Sequence, residues 1–370
     1  MQKIRVYLAP LFMAVVVSGT AMAQSAHDAV AGHDANAMTK TGHDVNLAQS
    51  DRFELASADG KYKIGLRGLL QQHNGVSYNL GSKKTNIDIE LKRARVSLYG
   101  SVLDPRVTFL VQTALEKEPS DMVSGYRAPG TDYLSDYYLN LAFHHNYFQT
   151  KIGKFGIPWS RQQLTPAALT QFSDIHDPLK RRFSITNTGK DVGIMLHNSA
   201  HFPFEWALAG VSNGVAARVG FNHQGIDGYD FTDWHGGDIR FGFAANGFAH
   251  TDYKSTKFDD LRGGADFIAK VSHFSTNGAF YYQYDKTKPT LQHHFGTGLD
   301  AGYLIANHFE PVVRHSWLFE NQASHQQQIL GGLNYYIHNH NLKVQGYGGV
   351  DVVGKQVARA LGGIQIQLAI

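Results

Sequence analysis

From residue 52 to the last residue, apolar side chains recur at every second position, and no other feature limits the fold as much. Near the end, Ile364, Ile366, Leu368 and Ile370 alternate with Gln365, Gln367 and Ala369. Ala94, Val96 and Leu98 alternate with Arg93, Arg95, Ser97 and Tyr99, and Ile239, Phe241 and Phe243 with Asp238, Arg240 and Gly242. Phe267, Ala269 and Val271 alternate with Asp266, Ile268 and Lys270. Val313, Trp317 and Phe319 share a face with His315 opposite Arg314 and Ser316, while Leu342, Val344 and Gly346 oppose Lys343, Gln345 and Tyr347. A helix repeats every 3.6 residues, so a period of two assigns these segments to strands. The 38 Gly and the 12% aromatic content suit tight turns and aromatic girdles rather than a helical bundle.

Sixteen candidate strands follow: 52–57, 61–72, 87–101, 106–116, 133–144, 147–155, 190–198, 204–213, 237–249, 261–273, 276–284, 295–306, 309–320, 325–338, 341–352 and 357–370. Short joints (144–147, 339–341) alternate with longer ones (117–132, 214–236), which is the layout of an outer-membrane barrel. A soluble sandwich would also alternate. Here, however, the polar faces carry lone Arg, Lys and Asp among Gln and Gly, on strands long enough for a tilted membrane strand of about 9–11 residues. The expectation is an all-β fold: a transmembrane antiparallel β-barrel of about 16 strands over residues 52–370.

The first 23 residues read as a secretory signal peptide. Lys3 and Arg5 precede an apolar run at 8–17, and Ala21-Met22-Ala23 is a small-x-small cleavage site. The run is too short to span a bilayer as a helix, which needs about 20 residues. Export places the barrel in a bacterial outer membrane. Residues 24–51 are polar and without period, and read as a disordered periplasmic tail. Their three His-Asp pairs (His27-Asp28, His33-Asp34, His43-Asp44) have ligand chemistry but no rigid spacing.

The chain has no Cys, which excludes disulfide frameworks, Cys-zinc sites, iron–sulfur clusters and thiol nucleophiles. Its formal net charge is only +3, too low for a nucleic-acid binder by bulk charge. Without Lys3 and Arg5 it falls to +1; the acidic tail leaves +4 on residues 52–370. Any preference for anions must come from where the charges sit. Arg93, Arg95, Arg240, Lys270, Arg314 and Lys343 all lie opposite an apolar stripe, so in a barrel they face the pore. There they either bind passing anions or pair with wall carboxylates such as Asp238 and Asp266.

Residues 156–190 lack strand pattern and contain Pro158, Pro166 and Pro178. A connection this long is functional or disordered. Trp159, Leu164, Leu169, Phe172, Leu179 and Phe183 give it a reason to pack. Between 154 and 190 the bases Lys154, Arg161, Lys180, Arg181, Arg182 and Lys190 outweigh Asp174 and Asp177 by +4. Folded into a narrow, low-dielectric pore, those charges would focus a field that bulk salt would otherwise screen. The segment is therefore expected to fold inward as a selective constriction. The other possibility is an extracellular loop on lipopolysaccharide phosphates.

Several of these residues also carry a resemblance. Lys92-Arg93-Ala94-Arg95 with Tyr99-Gly100 resembles the basic strand of the phosphate-selective porin O/P family. Lys151-Ile152-Gly153-Lys154-Phe155, with Pro158, Ser160, Leu164 and Thr165, is similar to that family's strand and entry into its constriction loop. Phe53-Glu54-Leu55, Asp59-Gly60 and Leu66-Arg67-Gly68 are similar as well; the likeness covers about 52–215. It implies a sixteen-stranded, trimeric channel passing anions such as phosphate. Such porins usually end in an aromatic residue, whereas this chain ends in Ile370.

Three other motifs carry less. Gly210-Val211-Ser212-Asn213-Gly214 matches the nucleophile-elbow string, but no helical stripe follows it. Gly296-Thr297-Gly298-Leu299-Asp300-Ala301 matches a loose dinucleotide fingerprint inside a strand pattern. His144-His145, His293-His294 and His338/His340 sit at strand ends without a metal-ligand spacing. The sequence thus reads as a non-enzymatic, anion-preferring porin with no cofactor. It would be embedded in lipid and lipopolysaccharide. A non-selective diffusion porin and a barrel lipase using Ser212 are the alternatives.

Overall fold

The computed structural model describes residues 53–116, 133–144, 147–174, 177–186, 188–199, 202–212, 214–224, 226, 229–251, 258–286, 292–320 and 325–370. The signal peptide and the tail assigned above lie outside these residues.

Seventeen strands are present among the described residues. They are β1 (Phe53–Ala56), β2 (Lys63–Asn79), β3 (Lys84–Val102), β4 (Asp104–Ala114), β5 (Leu134–His144), β6 (Phe148–Gly156), β7 (Lys190–His197), β8 (Phe204–Val211) and β9 (Gly214–His223). There follow β10 (Arg240–Thr251), β11 (Phe258–Val271), β12 (Phe274–Asp285), β13 (Gln292–Tyr303), β14 (Phe309–Glu320), β15 (Gln326–His338), β16 (Leu342–Val353) and β17 (Gln356–Ala369). Each of β2 to β17 pairs antiparallel with the next, and β17 returns to β2, closing a sixteen-stranded barrel. Closure leaves the wall no free lateral edge, although β3 extends at 84–94 beyond its pairing with β4. No helix among the described residues is long and apolar enough to cross a membrane.

The expected count of sixteen is matched, but through two compensating errors. The segment 52–57 is not a full stave. Its four residues pair with Lys63–Leu66 of β2, while β17 takes the same edge from Leu69 onward. The two short runs are thus laid end to end, and Gly68 and Ile370 exchange backbone hydrogen bonds of 2.8 and 3.0 Å where they meet. Conversely, β9 was expected to be part of a loop. Its inward positions are Gly214, Ala216, Arg218, Gly220 and Asn222. With three of those five small, the polar face is too weak to register as alternation.

The alternation itself holds. Ile364, Ile366 and Leu368 are about half exposed on the outside of β17, while Gln365 and Gln367 between them are 0% exposed. Leu333, Ile329, Val313, Phe243 and Val219 lie on the same outer surface. A ring of aliphatic and aromatic side chains facing outward is unfavourable in water and suits hydrocarbon. Leu333 lies mid-strand, between Pro311 and Gly346. Leu333→Arg is expected to destabilise the barrel by about 2–4 kcal/mol if that face meets the bilayer midplane. Reversible denaturant titration in lipid vesicles measures this; an unchanged midpoint would remove lipid from that face.

Candidate functional site: a basic cavity beside the β6–β7 connection

The backbone between β6 and β7 (157–189) forms a short helix α1 (Arg161–Leu164), one 3-10 turn (Ala167–Leu169) and helix α2 (Asp177–Phe183). Ser160 starts α1 by accepting the Gln163 amide at 3.3 Å. Irregular backbone away from water must still satisfy its carbonyls. Here the donors come from inward-facing side chains. Gln71 and Gln367 donate to the carbonyls of Ala167 and Ala168, each at 3.2 Å. Lys343 donates to Thr170 at 3.0 Å and Asn334 to Gln171 at 3.0 Å. Arg93 reaches Ser173 at 3.4 Å and Arg314 reaches Asp174 at 2.6 Å. The Gln171 side chain donates to Glu310 at 2.7 Å and Ser275 at 2.8 Å.

One carboxylate fixes the start of the segment. Asp266 on β11 accepts the Arg161 backbone amide at 3.0 Å and lies 3.3 Å from its guanidinium. It also takes both terminal nitrogens of Arg218, at 2.6 and 2.9 Å. Arg218 Nε donates to Glu205 at 2.8 Å, and Tyr229 donates to the same carboxylate at 2.7 Å. Two arginines and two carboxylates therefore balance in a buried cluster. Beside it Ile157, Trp159, Leu179, Phe183 and Ile185 form an apolar core with Phe155, Met195, Phe248, Tyr281 and Leu318. Small wall residues make room for it. A Cβ on Gly296 would sit 2.5 Å from Phe183 and 2.6 Å from Leu179.

A second connection, 224–239, joins β9 to β10. It leaves from the barrel end that also bears the tight turns at 272–273 and 339–341. Lys270 donates to its Thr232 carbonyl at 2.9 Å, and Arg240 pairs with its Asp233. Asp230 accepts from His340 at 3.1 Å and from Trp234 at 3.0 Å. Burial alone would raise the Asp230 carboxyl, but the His340 imidazole overrides it and holds the group down at about 2. The amide of Phe231 meets the Leu169 carbonyl of the β6–β7 connection at 3.5 Å.

What remains is a cavity of about 450 Å³ between β2–β6 and residues 163–190. Seven bases line it (Arg67, Lys92, Arg93, Arg95, Lys151, Lys180, Lys190) against four acids (Glu90, Glu116, Asp136, Asp174). Arg95 pairs with Glu116 at 2.7 Å, and Lys190 pairs with Asp136. Lys151 lies 4.2 Å from the ring centre of Tyr138, and Arg67 lies 3.8 Å from that of Tyr99. Asp174 is shared by three cations: Lys92 at 3.3 Å, Lys180 at 3.3 Å and Arg93 at 3.9 Å. With seven bases against four acids, the cavity as a whole keeps an excess of positive charge.

Of the twelve bases singled out from the sequence, Arg93, Arg95, Lys180 and Lys190 line this cavity. Arg161, Arg240 and Arg314 are instead held by Asp266, Asp233 and Asp300, the last at 2.7 and 2.9 Å. Lys270 is bonded to Thr232, and the buried Lys154 to the Leu134 carbonyl at 3.1 Å. Arg182 sits among His294, Asp285 and Glu320, and Arg181 is exposed. Pairing with carboxylates, the alternative left open above, thus describes Arg95, Arg161, Arg182, Arg314 and Lys190, while the partner of Arg240 lies in the 224–239 connection. Lys92 is not among the twelve, because strict alternation sets it opposite Arg93. A bulge at Gln71/Gln72 skips Lys92 in the β2–β3 register, so both reach Asp174.

The other motifs carry no catalytic geometry. Ser212 is followed by β9 rather than a helix, and its hydroxyl donates to Asp191 at 2.6 Å. Residues 296–301 run inside β13.

No protein-family model matches the chain, and no curated protein matches it. Solved structures do. OmpT of Vibrio cholerae superposes with a TM-score of 0.59 at 11% identity, over 85% of this chain and 99% of that one. The same protein in an in-vitro folded trimer form gives 0.57 at 10% identity, over 84% and 99%. Salmonella typhi OmpF, in complex with daunomycin, gives 0.57 at 9% identity, over 85% and 100%. The outer membrane channel DcaP of Acinetobacter baumannii gives 0.55 at 10% identity, over 85% and 99%. At such identities the likeness is one of fold.

Proposed function

We propose that the chain is an outer-membrane porin whose water-filled path runs through the basic cavity and carries small anions such as phosphate by passive diffusion. The observation that carries this reading is the corner where Lys92, Arg93 and Lys180 converge on the single carboxylate of Asp174. Guanidinium and ammonium groups replace part of an anion's hydration shell with charge-assisted hydrogen bonds. Excess charge between low-dielectric walls raises the local anion concentration. The connection 157–189 acts as the constriction, since its hydrogen bonds reach β2, β3, β11, β12 and β14–β17. The sixteen-stranded fold shared with outer-membrane channels supports the location and the passive mechanism. The trimer form of one such structure supports a homotrimer in lipid and lipopolysaccharide. The reading is non-enzymatic: the path needs no nucleophile and no cofactor.

A pore with little selectivity is the second reading, favoured by the neutral pairs Arg95–Glu116 and Lys190–Asp136. A reversal-potential measurement in a planar bilayer under a KCl gradient separates the two. The expected sign is that of an anion-selective pore, with chloride current reduced by added phosphate. A zero or cation-selective potential would overturn the proposal.

A further inference from the structure

His73, on β2, faces Glu90 on β3 in register, and Asp88 lies two residues along on the same face. The imidazole is only 6% exposed. Its Nε2 lies 2.9 Å from the Tyr347 hydroxyl, and the two rings stack with their planes 13° apart. Glycines leave room for the ring: a Cβ on Gly75 or on Gly363 would come within 2.9 Å of it. The ring is thus held firmly, and Nε2 is occupied. Its other nitrogen, Nδ1, is buried and has no hydrogen-bond partner among the described residues. A buried polar atom left without a partner costs free energy, unless something absent from the chain satisfies it.

Nδ1 points toward carboxylates. Glu90 Oε1 is 3.8 Å away, and the ligand atoms of His73, Asp88 and Glu90 all lie within 4.8 Å of one another. In the tautomer that carries its proton on Nε2 and donates it to the Tyr347 hydroxyl, Nδ1 keeps its lone pair, which is the second-sphere arrangement that prepares a histidine ligand. Zinc takes imidazole nitrogen and carboxylate oxygen at about 2.0–2.2 Å. Asp88 and Glu90 are exposed, so their side chains can rotate inward by the ångström or so needed. Three protein ligands would leave a tetrahedral ion one position for water or an anion.

We propose that His73, Asp88 and Glu90 form a binding site for a divalent transition-metal ion of the zinc class on the inner wall, and that its occupancy strengthens anion preference. Glu90 lines the basic cavity, two residues before Lys92. The two carboxylates are a local negative patch opposed to anion entry; a bound dication cancels it. Only this consequence rests on the porin reading, and the binding does not.

The test compares the full chain with Glu90→Gln, which alters an exposed side chain, and with His73→Ala. Equilibrium dialysis against micromolar Zn²⁺ counts bound ions, and any metal held by the His-Asp pairs near the N-terminus is common to all three proteins. The expected result is one ion per chain fewer in each variant, with barrels that still show the heat-modifiable band of a folded protein. Equal zinc counts in parent and variants would overturn the site. In bilayers, Zn²⁺ should shift the reversal potential of the parent toward anions and leave His73→Ala unmoved. A zinc-independent potential in the parent would overturn the regulatory consequence. The potential in chelator tests the porin reading separately.

Discussion

Replacing Lys92, Arg93 and Lys180 together by Gln is expected to abolish anion preference and turn the pore weakly cation-selective. In the parent, three cations share Asp174; in the variant, Asp174 keeps none of them. The local charge therefore changes sign rather than merely shrinking. Focused fields of this kind alter ion access by about 10- to 1000-fold. A fall of at least about tenfold in the chloride-to-potassium permeability ratio is the scale to look for. The folded barrel should survive, because Lys92 and Lys180 are partly exposed and the Ser173 carbonyl that Arg93 caps lies at the cavity edge. Arg240→Gln is the matched control: its partner is Asp233, outside the cavity, so it should leave the reversal potential where it was. Unchanged selectivity in the triple variant would exclude this corner from ion discrimination.

The second large effect concerns stability. Asp266→Ala removes the acceptor for the Arg161 amide and for the guanidinium groups of Arg161 and Arg218. Arg218 keeps Glu205, but one positive charge is left buried without compensation. Breaking a buried ion pair from one side costs about 3–5 kcal/mol. We expect that cost to appear as release of 157–189 before the barrel opens: faster proteolysis within the segment and larger, noisier conductance. A variant with the parent's protease resistance and single-channel current would show that the apolar core alone holds the segment.

The barrel was legible in the sequence because its determinant is local. Every second residue of a stave faces outward, and Ile364 to Ile370 announce this without reference to any other strand. β9 escaped because its inner face packs closely and uses Ala216 and Gly220, which carry no polar signal. The 157–189 segment stood out in the sequence by its length and its prolines, and its apolar residues announced a packed core. Its charges were not. Arg161 and Lys180 look alike in the sequence, yet one is sealed against Asp266 and the other lines the cavity, because that depends on β11 and β3, far away in the chain. The pairing of Lys92 with Arg93 was hidden for a different reason: a bulge shifts one strand by one residue, and nothing in β3 alone encodes it. His73 was hidden too, since its significance lies in one nitrogen that no neighbour completes.

The seam between β17 and β2 dictates the order of assembly. Gln71 and Gln367, hydrogen-bonded at 2.7 Å across it, are 296 residues apart in the chain. All other neighbouring staves are joined by a single connection and can zip progressively, each hairpin using the previous one as its template. The seam alone must wait until the final stave exists, and it then pays the loop-closure entropy of nearly the whole polypeptide. Until that moment the sheet has two raw borders, β2 and β16, each able to capture a strand from another molecule. β1 shortens that exposure by covering the first four residues of β2 from the outset. Loss of the closing stave would therefore produce not a slightly weaker barrel but an open ribbon prone to pairing with its own kind.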